Sequence, residues 1–182
     1  MGLNVKKSDT SIRIGEVRFS FPRVFTPGSV DDNSPKKYSC SILIPKSNTE
    51  AIKLIEEATA AAVKRGAEKY WSGKAPANLK KPLRDGDFDR EDDPAYEGMW
   101  FLNASNPRKP GVQVLEDGMR YDASEDDFYA GCYGAVTLDF YPYNKNGNRG
   151  VAVSLGNLIK LRDGERLSGG GESVDNSFSD LD

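Results

Sequence analysis

Residues 10–25, TSIRIGEVRFSFPRVF, decide the fold. Apolar side chains alternate at Ile12 and Ile14, which is typical of a β-strand with one buried face. The alternation changes phase at Gly15–Glu16 and resumes at Val17, and a phase change at a glycine inside a strand indicates a β-bulge. Because a bulge bends a long strand, this stretch predicts a bent first strand that serves two halves of a barrel.

The segments that follow predict a second strand and one helix. Residues 36–45, KKYSCSILIP, alternate in the same way and end at Pro45, so we expect a strand there. Residues 47–71, SNTEAIKLIEEATAAAVKRGAEKYW, carry apolar side chains at helical spacing. Ser47 and Glu50 have the spacing of a capping box, which predicts that the principal helix begins there.

The second half of the chain predicts more strands. Residues 98–105, GMWFLNAS, and residues 111–115, GVQVL, are typical of short strands, and residues 130–144, AGCYGAVTLDFYPYN, of a long one. Asn146–Gly147 then indicates a tight hairpin, whereas residues 72–97 are predicted to form a long loop. We therefore expect a mainly β fold with one principal α-helix between the second and third strands, arranged as a five- to six-stranded antiparallel barrel.

Composition argues against several classes of function. The chain of 182 residues has no histidine, and histidine is the commonest general base and metal ligand. Its two cysteines, Cys40 and Cys132, form neither a metal-ligand spacing nor a disulfide framework. No apolar run approaches the roughly 20 residues that span a bilayer. We therefore expect a cytosolic protein that is not an enzyme, with no metal, no cofactor and no membrane partner.

Charge is segregated along the chain although the net charge is only −3. Residues 34–84 contain eleven lysines and arginines against four glutamates, whereas residues 85–97 contain seven acidic residues and one arginine. Residues 169–182, GGGESVDNSFSDLD, have glycine and acidic residues but nothing basic, which is typical of a flexible tail. The predicted domain organisation is a folded domain at 1–168 and a disordered acidic tail at 169–182.

The acidic segment from Asp85 to Asp93 bears on two alternative hypotheses about function. Asp85, Asp87 and Asp89 alternate as at the start of a calcium loop, but that loop's glycine position is Arg90, so calcium binding is not expected. A metal-dependent nucleic-acid enzyme that uses this cluster is one alternative hypothesis. A structural or assembly protein, in which aromatic residues form subunit contacts, is another.

Basic and aromatic residues lie together at several places, as single-stranded nucleic acids require. Such strands are held by a positive groove that follows the phosphates and by flat side chains on which bases stack. A barrel with aromatic residues outside and lysines in its loops is typical of an oligonucleotide-binding (OB) fold. The residues predicted to bind phosphates are Lys36, Lys37, Lys80, Lys81, Arg84, Arg108 and Lys109. The residues predicted to supply stacking rings are Tyr70, Trp71, Trp100, Tyr133, Tyr141 and Tyr143.

An ordered set of motifs from about residue 10 to 170 resembles a known family. The motifs are FSFPRVFTP, KKYSCSILIPK followed by AIKLIEEA, KPLRDGD, NASNPRKPGVQV, YAGCYGAV and GVAVSLGNLIKLRDGERLSG. In this order they are similar to phage and prophage single-stranded DNA-binding proteins, long classed as a domain of unknown function. The resemblance implies an OB-type barrel that coats single strands without sequence preference during phage replication or recombination, in the cytoplasm of the bacterial host.

The resemblance also implies a function for the tail. It implies an acidic terminus with an aromatic residue near its end, and the residues that match are Glu172, Asp175, Phe178, Asp180 and Asp182. A tethered polyanion of this kind is expected to compete with DNA for the basic groove, and then to contact phage or host replication and recombination proteins. The state of the protein is expected to be a monomer or a homodimer.

Overall fold

The structure is a computed structural model that describes residues 2–29 and 31–167, so the predicted tail and its acidic residues lie outside the described part. The strands within the described part are β1 (Val5–Lys6), β2 (Ser11–Gly28), β3 (Lys37–Pro45), β4 (Arg84–Asp85), β5 (Met99–Asn106), β6 (Val112–Glu116), β7 (Met119–Asp122), β8 (Tyr133–Lys145) and β9 (Asn148–Arg162). The helices are α1 (Thr49–Lys69), α2 (Gly86–Asp89) and a 3₁₀ turn (Pro94–Tyr96).

Five strands form a closed barrel, in the order β5-β3-β2-β8-β9 and back to β5. This confirms the predicted mainly β barrel with one principal helix between its second and third strands. The prediction that the barrel is antiparallel is wrong at one seam, because Ser105 of β5 and Ser154 of β9 pair in parallel. β6 also runs parallel to β9, and β7 extends the sheet beyond it.

The first barrel strand is bent at the predicted bulge. Ile14 pairs with Val136 and Val17 pairs with Gly134, so β2 contains one residue more than β8 between these pairs. Glu16, within the bulge, has a φ of 59°. The first half of β2 pairs with β8 and the second half with β3, so this one strand joins both sides of the barrel as predicted.

The start of α1 differs from the predicted capping box. Asn48, and not Ser47, caps the helix, since its side-chain oxygen accepts a hydrogen bond from the Ala51 amide. The side-chain amide of Asn48 also donates to the Gly15 carbonyl at 3.0 Å. The cap therefore ties the helix to the bulge of β2, and this distant contact favours Asn48 over its neighbour.

The core lies inside the barrel and is closed at one side by α1. Ile55, Ala58 and Ala62 of α1 are fully buried among barrel side chains such as Phe19 and Phe140. The inward residues of β8 are buried as its alternation predicts, and the hairpin at Asn146–Gly147 has the two positive φ angles of a type I′ turn. No helix in the described residues is both long and apolar enough to cross a membrane.

The predicted loop at residues 72–97 is partly ordered. It contains β4, α2 and the 3₁₀ turn, and it covers the outer faces of β3 and β5. The Tyr96 ring is buried against Leu43 and Phe101 in a small second core, and its hydroxyl lies 3.1 Å from Ser20 Oγ and 3.3 Å from Ser41 Oγ.

Candidate nucleic-acid interface

A groove lies beside the β5–β9 seam, where a loop segment crosses between the two strands. The Lys80 amide donates to the Arg149 carbonyl, and the Lys80 carbonyl accepts from the Val151 amide at 2.9 Å. Four residues later, Arg84 pairs with Phe101 of β5. The backbone from 80 to 84 is therefore fixed at both ends, which holds its side chains at the groove.

Glycine is required at one point of this crossing. A Cβ at Gly150 would lie 2.3 Å from the carbonyl oxygen of Lys80 and 2.9 Å from its Cβ. Such contacts are far inside van der Waals distance, and the atom approached is backbone that is held by two hydrogen bonds. The missing side chain at Gly150 thus lets the basic segment lie directly on β9.

The β5–β9 groove has a volume of about 240 Å³ and an open mouth. It is lined by Lys80, Lys81, Pro82, Arg84, Asn103, Ser105, Tyr141, Tyr143, Val151, Ala152 and Val153. Five of the predicted binding residues therefore meet here, three cations from the crossing segment and two tyrosines from β8. The sequence did not point to the β5 and β9 residues between them, since short side chains in a strand carry no signal of their own.

The two tyrosines stand next to small neighbours. Tyr141 pairs with Ala152, and Tyr143 pairs with Gly150, so the adjoining strand offers little bulk beside either ring. Tyr141 is 40% exposed, and burial of the rest raises the pKa of its hydroxyl, which keeps it neutral at ordinary pH. A neutral ring beside a low surface can receive a flat ligand such as a base.

The lysines of the groove are available to an anion. No carboxylate in the described residues lies within 4.0 Å of the ammonium of Lys80 or Lys81. Within the described part of the chain, the hydrogen-bond partner of Lys80 Nζ is the side-chain oxygen of Asn148, at 3.1 Å. Arg84 differs, because its Nε lies 3.2 Å from Asp89 and its guanidinium lies over the Phe101 ring. Two unpaired positive charges therefore remain at the groove.

The tryptophans that were predicted to stack lie elsewhere. Trp71 is only 9% exposed, and its six-membered ring packs against Gly66, which leaves room because it has no side chain. The structure thus places Trp71 in the packing at the end of α1, and we leave it out of the interface. Trp100 is partly buried against the core, with the Lys46 ammonium 5.0 Å from its ring centre.

The remaining predicted residues lie outside the β5–β9 groove. Tyr70 is exposed after α1, with Lys69 Nζ over its ring. Tyr133 lies at the other end of β8, where its ring is close to the guanidinium groups of Arg18 and Arg162, which the sequence analysis did not single out. Exposed cations at the start of β3, in the connection before it and in the β5–β6 connection account for the rest of the predicted set: Lys36, Lys37, Arg108 and Lys109.

The acidic segment is held by ion pairs within the fold. Lys46 Nζ lies 2.7 Å from a carboxylate oxygen of both Asp85 and Asp87. The hydrogen bond from Lys46, helped by one from the Gly98 amide, lowers the pKa of Asp87. Among the described residues no group of three or more carboxylates, cysteines or histidines lies together in a way that could hold a metal ion. These aspartates therefore have a structural explanation.

Both cysteines are buried and reduced. Cys40 is enclosed in the barrel, and burial raises the pKa of its thiol well above the ordinary range. Burial likewise raises the pKa of the Cys132 thiol. A thiol that resists ionisation is a poor nucleophile and a poor metal ligand, so both act as small apolar side chains.

A closed five-stranded barrel with one principal helix places the chain in the class of OB-fold proteins, and a groove lined by cations and tyrosines lies at its seam. Residues 10–182 match the sequence model of the family described as Enterobacter phage Enc34, ssDNA-binding protein, and the chain belongs to that family. A relative, the protein p50 of Acyrthosiphon pisum secondary endosymbiont phage 1, is 34% identical in an alignment of 179 residues that covers 93% of each chain.

Solved structures agree with this assignment. The single-stranded DNA-binding protein from bacteriophage Enc34 in complex with ssDNA is 25% identical, with a TM-score of 0.72 over 91% of this chain and 98% of that chain. The protein gp2.5, a single-stranded DNA-binding protein encoded by bacteriophage T7, is 15% identical, with a TM-score of 0.54 over 95% and 94% of the two chains. At that identity the second likeness concerns the fold alone.

Proposed function

We propose that this chain binds single-stranded DNA without sequence preference, in the β5–β9 groove. One observation carries the proposal: Lys80 and Lys81 line the same groove as Tyr141 and Tyr143 and have no carboxylate partner in the described part of the chain. Membership of the Enc34 family and the fold shared with the DNA-bound Enc34 protein support it.

The chemistry of the groove suits an unpaired strand. Ammonium groups attract phosphates irrespective of sequence, and a tyrosine ring stacks on any base because every base has a flat face. Apart from the cations and tyrosines, Asn103 and Ser105 carry hydrogen-bonding side chains and the other residues that line the groove are apolar, so few groups there could read a base edge. A duplex keeps its bases stacked inside and gives up the ring contacts, so single strands should bind more tightly.

The wider role that we propose is to coat and protect single strands during phage DNA replication and recombination, in the cytoplasm of the bacterial host. Residues 172–182 would compete with DNA for the groove. A polyanion tethered by a short flexible linker has an effective concentration roughly in the millimolar range. DNA that binds the groove would displace them, and they could then contact other replication or recombination proteins.

This role needs no catalytic step. The acidic cluster that an enzyme would require is engaged by Lys46, and burial disfavours ionisation of both thiols. The alternative of a metal-dependent nuclease requires turnover with magnesium that is lost in an Asp87→Ala variant. The alternative of an assembly protein requires large particles and no affinity for oligonucleotides.

The proposal is tested by titrating oligothymidylate at several salt concentrations. We expect the variant with Lys80→Gln and Lys81→Gln to lose about 1.4 from the slope of log K against log salt, since each phosphate on a single strand contributes about 0.7. The matched control removes two exposed lysines of α1, as Lys53→Gln with Lys64→Gln. Equal losses in both variants would show a diffuse charge effect and contradict a groove.

A further inference from the structure

Two arginines lie on two tyrosine rings at the end of β9, outside the β5–β9 groove. The Arg162 guanidinium carbon is 3.7 Å from the centre of the Tyr133 ring, and that of Arg166 is 4.2 Å from the centre of the Tyr129 ring. We call these four residues the arginine–tyrosine platform. A cation over an aromatic ring is attracted by the negative face of the ring.

The tyrosines of the platform are held by the fold. The Tyr129 hydroxyl lies 2.9 Å from the Asp163 carboxylate and 3.1 Å from both the amide and the carbonyl oxygen of Gly164. Tyr133 contacts the same turn, because a Cβ at Gly164 would lie 2.6 Å from its ring. Both rings are therefore fixed in place before any ligand binds.

A third arginine fixes the backbone around the platform. Arg18 donates to the Gly131 carbonyl at 3.0 Å and to the Glu165 carbonyl at 2.7 Å, and its guanidinium lies 5.2 Å from the centre of the Tyr133 ring. The Leu167 amide adds a hydrogen bond to the Ala130 carbonyl. Arg18 is thus occupied by the fold, and the two arginines of the platform are not.

The platform carries positive charge that nothing in the described residues neutralises directly. Neither Arg162 nor Arg166 has a carboxylate within 4.0 Å there, whereas the nearby Lys160 is paired with Asp163. A guanidinium that stacks through its face keeps its N–H groups at its edge, in the fork that matches two oxygens of a phosphate. Side chains held in this way lose little freedom on binding.

The platform lies on the same face of β8 as the groove tyrosines. Tyr133 and Tyr141 are eight residues apart, and the irregularities in the pairing of β8 with β9 place the extra residues in β9, so alternation along β8 is unbroken. At roughly 3.3 Å per residue the separation is about 26 Å. One DNA strand can contact both the groove and the platform, since OB-type sites cover about 4 to 16 nucleotides.

We propose that the arginine–tyrosine platform is a second contact surface for the phosphodiester backbone of the single strand held in the β5–β9 groove. The proposal rests on the proposed function and extends it, because it assigns the platform to DNA lying beyond the groove. It gives Arg162 and Arg166 one phosphate each, and it makes the footprint longer than the groove alone.

The test compares a short and a long oligothymidylate, of about 5 and about 20 nucleotides, on the full chain with Arg162→Gln and Arg166→Gln. Loss of two phosphate contacts reduces the slope of log K against log salt by about 1.4. Between 1 M and 0.1 M salt, this change corresponds to a loss of about 25-fold in affinity. We expect this loss with the long oligonucleotide only, because the short one, when it is bound at the groove, does not extend to the platform about 26 Å away. The α1 control, Lys53→Gln with Lys64→Gln, should keep the length dependence of the unchanged protein.

The outcomes separate this proposal from the one it rests on. Suppose that the unchanged protein binds both oligonucleotides. If the variant binds them as tightly, or loses the same factor in affinity for both, the platform is not a second DNA surface. If the unchanged protein binds neither length, the proposed function fails and the platform fails with it. Should the double variant be destabilised in thermal unfolding, Arg166→Gln alone decides the matter, with about half the change in slope expected.

Discussion

Replacing Tyr141 by alanine should weaken binding of single-stranded DNA and leave the fold intact. The ring lines the groove, is 40% exposed and pairs across the sheet with Ala152. One base stacked on an aromatic ring contributes about 1 to 3 kcal/mol. Because more than half of this ring is already covered by protein, we expect the lower part of that range, about 1 to 2 kcal/mol, which is roughly 5- to 30-fold in affinity.

The cost to stability should be smaller than the cost to binding. Tyr141 points away from the core, so the alanine variant loses a cross-strand pair of about 0.2 to 1 kcal/mol. For a chain of this size, this lowers the melting temperature by at most about 4 °C. Circular dichroism can therefore separate a loss of stacking from a loss of fold.

The assay is fluorescence anisotropy of a labelled short oligothymidylate in buffer of low salt. Tyr141→Phe keeps the ring and should bind like the unchanged protein, whereas Tyr121→Ala removes a tyrosine of similar exposure, 42%, from β7 outside the groove. A folded Tyr141→Ala variant with unchanged affinity would refute the reasoning. Equal weakening by the Tyr121 change would refute it as well.

Three further predictions concern the supports of the groove and the tail. Asp87→Asn should lower the melting temperature at neutral pH, because it removes the carboxylate charge that pairs with Lys46. Since the folded pKa of Asp87 lies below its ordinary 3.8, that contribution is present above pH 3.8 and is lost as pH falls through the folded pKa. The variant should therefore melt with a weaker acid dependence than the unchanged protein. Gly150→Ala should push away the Lys80 carbonyl, speed amide exchange at this pairing and weaken oligothymidylate binding, and normal exchange with normal affinity would contradict the close approach. Deleting residues 172–182 should tighten binding at low salt and less so at high salt, and an unchanged affinity at low salt would end the proposal of competition.

Local patterns in the sequence were sufficient where the structure is set by neighbouring residues. The phase change at Gly15–Glu16 predicted the bulge, and Asn146–Gly147 predicted the turn between β8 and β9, because each depends on backbone angles within a few residues. Along β8, the buried Leu138 and Phe140 alternate with the exposed Asp139 and Tyr141, an arrangement that also depends only on neighbouring residues.

Distant contacts explain what the sequence could not predict. The cap of α1 is Asn48 because its amide also reaches Gly15, and a capping-box pattern does not register a partner on another strand. The parallel seam depends on Ser105 meeting Ser154, far apart in the chain. The hydrophobic pattern of the sequence alone did not predict this parallel pairing.

The candidate interface shows the same division. The cations and tyrosines of the β5–β9 groove could be named from their types, since unpaired strands require charge and flat rings together. Trp71 is likewise an aromatic residue close to a lysine, Lys69. However, its ring packs into the space that Gly66 leaves, inside the fold. Arg162 is the opposite case, a residue that the sequence analysis did not name although it lies on an aromatic ring. Its partner Tyr133 is close only after β8 and β9 have paired.

The location of the bound strand is the central claim, and a backbone amide chemical-shift titration with oligothymidylate tests it most directly. We expect the largest changes at residues 80–84, 103–105, 141–143 and 150–153, which surround the groove. Saturable binding whose changes avoid these segments, and fall instead on the outer face of α1 or the acidic segment at 85–97, would contradict it.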